Sequence, residues 1–180
     1  VTIPASYQLV FAAARPAALA RELAAVADVA GLDLAPLADR LRHRPSYARL
    51  APAELLGPAV CGAVHDASAP TPTRFTAAVP IASAGPVTAI AVSFLATLAP
   101  GVTLTTAVDA APTHWLQTVL PLEPPLPAAP GDVLDVEVIP RAIVAGGTWA
   151  WTVRNRGEAR AMDAVDALVG ERDDLLAQLG

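Results

Sequence analysis

Between Phe75 and Val108 lie 34 residues without a single charge, yet Pro80, Pro86 and Pro100, with Gly85 and Gly101, cut them into pieces of at most 13. A helix that crosses a bilayer needs about 20 apolar residues in a row, and proline inside a helix removes a hydrogen bond and clashes with the preceding turn. The pieces are the length of strands. A hydrophobic fraction of 54% over 180 residues and a mean hydropathy of +0.47 therefore predict a soluble β-rich core, with no membrane partner.

The side-chain period supports strands through the middle of the chain. Ile90, Val92 and Phe94 share one face, with Ala91, Ser93 and Leu95 on the other. Leu134, Val136 and Val138 alternate with Asp135 and Glu137, the pattern of a half-buried strand. Trp149, Trp151 and Val153 repeat it after Gly146-Gly147, which is expected to form the hairpin turn. Six to eight strands between about Leu55 and Val153, joined by Pro- and Gly-rich turns, predict a sandwich or barrel.

Both ends differ. Residues Val1 to Ala13 read as extended; Pro16 then suits the first turn of a helix, and Leu19, Leu23, Val26 and Ala30 fall on one helical face before Gly31. Leu32 to Leu50 read as an irregular or helical excursion closed by Pro45 and Pro52. Beyond Arg156-Gly157, Met162, Val165, Leu168, Leu175, Leu176 and Leu179 can line one helical stripe, as a docked helix or as two short helices interrupted at Gly170. The expected division is a barrel domain over 1–155, including a helical arm at about 15–50, and a helical tail over 156–180.

Composition removes several kinds of chemistry. Every one of the 12 basic residues is arginine, which excludes Schiff-base lysines and the lysine of a Walker phosphate loop. Arg40, Arg42, Arg44 and Arg49 form the one basic cluster, but a net charge of −5 argues against nucleic acid as a partner. The single cysteine, Cys61, excludes an intrachain disulfide and suits a reducing, cytoplasmic setting. Cys61, His65 and Asp66 have no familiar metal-ligand spacing. No serine stands in a G-x-S-x-G elbow, and no Gly-rich turn joins a strand to a helix to hold a nucleotide. Asp135 and Glu137 share a strand face that alternation assigns to solvent.

One polar stretch remains, Pro112 to Leu120, "PTHWLQTVL". Alternation places His114, Leu116, Thr118 and Leu120 on one face and Thr113, Trp115, Gln117 and Val119 on the other. So polar a start to a strand suits a cleft wall.

"PTHWLQTVL", followed by a Pro-rich acidic turn, "PGDVLDVEV" and "WAWTV", resembles the C-terminal barrel of the protein arginine N-methyltransferases, in which a Thr-His-Trp loop leads into a "W-x-Q-T-V" strand and then a "G-D" turn. Thr113, His114, Trp115, Gln117, Thr118, Val119, Gly131 and Asp132 match as they stand. "TIPASYQLVFA" from Thr2 is similar to the segment after that family's catalytic loop, and "GLDL" at Gly31 to Leu34 to the start of its dimerisation arm. The resemblance implies a mainly β fold, a two-sheet, barrel-like β-barrel with an inserted helical arm near the N-terminus and a C-terminal helix.

It also implies a role. This chain would be the substrate-side barrel and dimerisation part of an S-adenosylmethionine-dependent methyltransferase, with S-adenosylmethionine bound by a separate domain and not by this chain alone. That domain, in the same longer chain or a separate polypeptide, would precede Val1 and carry two catalytic glutamates. His114 would support catalysis at the domain junction, and Thr113, Trp115 and Gln117 would contact a guanidinium or amine substrate. Transfer would be in-line attack of a neutral nitrogen on the sulfonium methyl. A homodimer is implied by the arm. The alternatives are a non-catalytic barrel-shaped interaction module, binding through Leu32 to Leu50 or the acidic tail, and a carbohydrate-binding sandwich, for which aromatics are few.

Overall fold

The computed structural model describes residues 3–29, 32–34, 41–143 and 146–164. Strand β1 (Ser6–Ala14) and helix α1 (Ala17–Ala27) open the chain, followed by the short strands β2 (Asp28–Val29), β3 (Leu32–Asp33) and β4 (Ser46–Ala48) and a 3-10 turn at Pro52–Glu54. Next come β5 (Val60–Cys61), β6 (His65–Asp66), β7 (Phe75–Pro80), β8 (Gly85–Ala99) and β9 (Val102–Thr105). The last four strands are β10 (Gln117–Ala128), β11 (Val133–Ile143), β12 (Gly146–Asn155) and β13 (Glu158–Asp163). One sheet runs β4-β10-β8-β1-β5, with β6 also on β1 and β9 on β8; a second runs β13-β12-β11-β7. The chain is mainly β, and the two sheets pack in a barrel-like way. Among the described residues no ladder joins them into a closed barrel, and no helix is long and apolar enough to cross a membrane.

The alternating strands bury the expected faces. Leu134, Val136, Val138, Trp151 and Val153 pack between the sheets against Phe11, Ile90, Val92 and Leu120. Strand β8 is buried on both sides. Its small residues Ala89 and Ala91 lie opposite Ala14 and Ala12 of β1 and meet Leu50, Val119 and Leu19 of α1 in a second cluster. Methyl-sized side chains let the covering segment approach the sheet closely.

Glu54 sets where that cover begins. Its carboxylate accepts from the Ala17 backbone N–H at 2.8 Å and the Ala51 N–H at 2.9 Å, satisfying one of the free donors at the start of α1. The helix is shorter than the expected stripe. It stops at Ala27, and Asp28–Val29 pairs with Leu32–Asp33; Ala30 and Gly31 lie outside the described residues. Within the expected excursion, Ser46–Ala48 is a strand on β10.

Two assignments are corrected. Gly146 and Gly147 are not the hairpin turn but the first residues of β12, opposite Ile143 and Ala142. Arg156 and Gly157, expected to begin the helical tail, form a two-residue turn with φ of 48° and 86°, the left-handed pair that a tight hairpin requires. Residues 158–163, also assigned to that tail, are strand β13; the stretch 165–180, where the rest of the helix was expected, lies outside the described residues.

Side chains close the seam that backbone leaves open. Strand β10 carries Pro121, Pro124, Pro125 and Pro127, none of which has an N–H to donate. Its register against β8 shifts between Pro121 and Leu126. The carbonyls that face the second sheet are met by side chains instead. Trp151 Nε1 donates to the Pro121 carbonyl at 2.8 Å, Arg160 Nε to that of Pro124 at 2.9 Å and Asn155 Nδ2 to that of Pro127 at 2.8 Å. Asn155 also donates to Asp132 at 3.0 Å.

Trp151→Phe removes the indole N–H, leaving the buried Pro121 carbonyl unpaired, and its smaller ring leaves a cavity, so urea denaturation should show a loss of at least about 1–3 kcal/mol. Asp132 is a second, pH-dependent lock. The Ala129 N–H, the Asn155 amide and the Arg156 charge hold its carboxyl below the ordinary value of 3.8. Its contribution is therefore present above that value and lost as pH falls through the depressed folded-state one. Asp132→Asn should flatten the acid limb of a stability–pH curve, and an unchanged limb would refute the assignment.

Candidate functional site

The polar stretch that precedes β10 is fixed from behind. Gln117, the first residue of the strand, is buried, and its side chain does the work of a missing ladder. Its Oε1 accepts from the Leu50 N–H at 2.9 Å and its Nε2 donates to the Thr106 carbonyl at 2.7 Å. An amide suits this position because it presents one acceptor and one donor group in opposite directions. Arg49 adds a third tie, Nη2 donating to the Thr113 carbonyl at 2.8 Å. A cavity of about 120 Å³ lies beneath the loop, between Arg49, Val108 and Trp115.

The front of the loop is open. Thr113 turns its hydroxyl back onto the Trp115 carbonyl at 3.0 Å, a local bond that holds the bend. His114 and Trp115 stack at 4.2 Å between ring centroids with planes 36° apart. Trp115 in turn meets the edge of Phe94 at 6.1 Å. His114 is exposed, Trp115 is 48% exposed, and among the described residues no group hydrogen-bonds the imidazole.

Strand pairing begins only at Gln117, so the alternation expected from Thr113 onward holds for 117–120 and not for the four residues before. The structure does bring Thr113, His114 and Trp115 to one surface. It places Gln117 beneath them, with both ends of its amide engaged. The signal for that role was the Gln itself, a polar residue among Leu, Thr and Val; its partners Leu50 and Thr106 were not readable from local pattern.

The other sequence candidates separate. Glu137 lies between Arg74 at 3.1 Å and Arg154 at 3.9 Å on the outer face of the second sheet. His65 packs its ring between Tyr7 and Phe75, Asp66 takes the Ser68 hydroxyl and N–H, and Cys61 is exposed on β5. The hydroxyl and N–H of Ser68 hold the Asp66 carboxyl below its ordinary value. Among the described residues no three side chains of ligand type converge. Of the basic cluster, Arg49 is tied to the loop and Arg42 lies 3.7 Å from Glu123; Arg40 is outside the described residues.

Gln117→Met keeps the side chain's length but strands one donor and one acceptor. It should destabilise the protein by about 1–3 kcal/mol per group and speed hydrogen exchange at the Leu50 amide. Unchanged exchange there would remove Gln117 from this role.

No family model matches the chain, and no curated protein sequence matches it. Solved structures do. The chain is similar to PRMT1 of Trypanosoma brucei, solved as an enzyme–prozyme heterotetrameric complex with AdoHcy, with a TM-score of 0.74 and 15% identity over 90% of this chain and 58% of that one. It is similar to protein arginine methyltransferase 10 of Arabidopsis thaliana at a TM-score of 0.64 and 13% identity, covering 88% of this chain and 59% of that one. For PRMT6 the score is 0.56 at 16% identity, covering 85% and 55%. The chain thus spans a little over half the length of the structures it matches, and its fold is that of the barrel portion of arginine methyltransferases.

Proposed function

We propose that this chain is the substrate-side and dimerisation half of an S-adenosylmethionine-dependent N-methyltransferase, completed by a cofactor-binding domain in the same longer chain or in a separate polypeptide. The observation that carries the reading is the Thr113-His114-Trp115 loop. It bears the family's residues, is tied from behind by Gln117 and Arg49, and leaves His114 and Trp115 facing outward on a methyltransferase-related fold.

The chain's own residues do not fit S-adenosylmethionine, which would supply an electrophilic methyl group from elsewhere. A nucleotide-type domain holds its cofactor at a Gly-rich turn between a strand and a helix. Here β1 runs into α1 through Arg15-Pro16, with no such turn. What this half contributes is orientation. The His114 imidazole is placed to bond an acidic group across the junction, and the Trp115 face to flank an incoming guanidinium or amine. Gln117 acts on substrate through the loop it holds. Dimerisation through the arm at about 15–50 completes the proposal.

In the complete enzyme His114→Ala should lower turnover by about a hundredfold, the cost of a misplacement of about 1 Å at a reacting centre, with cofactor affinity unchanged. Equal turnover would sink the assignment. Calorimetry of this chain alone with S-adenosylmethionine should show no binding; tight binding would place the cofactor site here and overturn the division of labour.

A further inference from the structure

One end of the space between the sheets is open, and the chain's aromatic residues gather there. The sequence holds three tryptophans, two tyrosines and three phenylalanines, and Tyr47, Phe94, Trp115 and Trp149 all line one groove of about 220 Å³. Tyr47 comes from β4, where it pairs with Thr118 of β10. Trp149 comes from the second sheet. Tyr47 and Trp115 are 69% and 48% exposed, and Phe94 meets Trp115 with planes 70° apart. The groove therefore presents aromatic surfaces in more than one direction.

Its chemistry selects among cations. Aromatic faces are electron-rich and attract a positive charge, more strongly where water is displaced. Among the described residues no charged side chain lines this groove; its polar side chains are Ser93, Thr106 and Thr118, and the Thr106 hydroxyl already accepts from the Phe94 N–H at 3.1 Å. A guanidinium brings five N–H donors and a primary ammonium three, and a donor desolvated without an acceptor is penalised. A quaternary ammonium has none to satisfy. The groove is smaller than the roughly 300 Å³ at which sites for whole drug-sized ligands begin, so it suits a single head group. The chain's net charge of −5 favours the approach of a cation.

We infer that this aromatic mouth binds the quaternary ammonium head of a small choline-type molecule. The inference concerns the mouth as this chain alone presents it; in the proposed function the acceptors for a guanidinium or amine beside Trp115 come from the cofactor-binding domain, so either reading can fail without the other.

The test is titration of the chain with choline, followed by NMR of the indole N–H signals. Choline should shift the Trp115 signal saturably and bind more tightly than its neutral tert-butyl isostere and than ethylguanidinium. Tyr47→Ala and Trp115→Ala should each weaken binding about two- to fivefold, as expected for loss of one ring, while Trp115→Phe retains most of it. Equal affinity for the neutral isostere would show a merely apolar groove, preference for ethylguanidinium would reverse the argument from unpaired donors, and tighter binding of a trimethyl-lysine peptide would assign the mouth to a protein partner. Each of these, or the absence of a saturable shift, overturns the inference.

Discussion

Each proline in β10 takes one donor away from the sheet, and four of them fall between Pro121 and Pro127. A strand so depleted cannot form a full ladder on both edges. One edge pairs with β8 on either side of a register shift; the carbonyls that face the second sheet are met by the indole of Trp151, the guanidinium of Arg160 and the amide of Asn155. The two sheets are thus joined by side chains from β12 and β13 that must lie at particular positions. A ladder tolerates any residue that fits its face, whereas this seam depends on three specific donors.

The same device recurs at the other end of the strand. Gln117 does for the Leu50 N–H and the Thr106 carbonyl what Asn155 does for the Pro127 carbonyl. Both are buried amides that join segments distant in sequence, and a buried amide is stable only when its polar atoms are matched. The loop before Gln117 can then be polar and exposed without being loose, because its anchor lies one residue behind it.

What the sequence disclosed followed from how local each cause was. The period of two through Leu134, Val136 and Val138 reflects burial of one face and was legible directly. The burial of both faces of β8 was less so, since alanines such as Ala89 and Ala91 read as neither polar nor strongly apolar. Turn chemistry misled at one site and went unread at another. Gly146-Gly147 had the composition of a turn, yet the strict requirement fell on Arg156-Gly157, where both residues have positive φ. Missing that turn hid β13, whose Met162 faces the core and also fits a helical stripe. The partners of Gln117 lie 67 and 11 residues away, and no local pattern encodes such distances.

The loop's polarity is a consequence of this division between a closed back and an open front. Had Thr113, His114 and Trp115 served only to start a strand, burial would favour β-branched and apolar residues there, as it does at Val119 and Leu120. Instead the ladder begins after them, the hydroxyl of Thr113 is used to hold the bend, and the two rings that follow remain in contact with each other and with solvent. Keeping an indole half exposed forgoes hydrophobic stabilisation that a small inward turn would recover. A surface or ligand that covered the rings would recover it. The loop is thus open in front and anchored behind, where the Gln117 amide joins the Leu50 N–H to the Thr106 carbonyl.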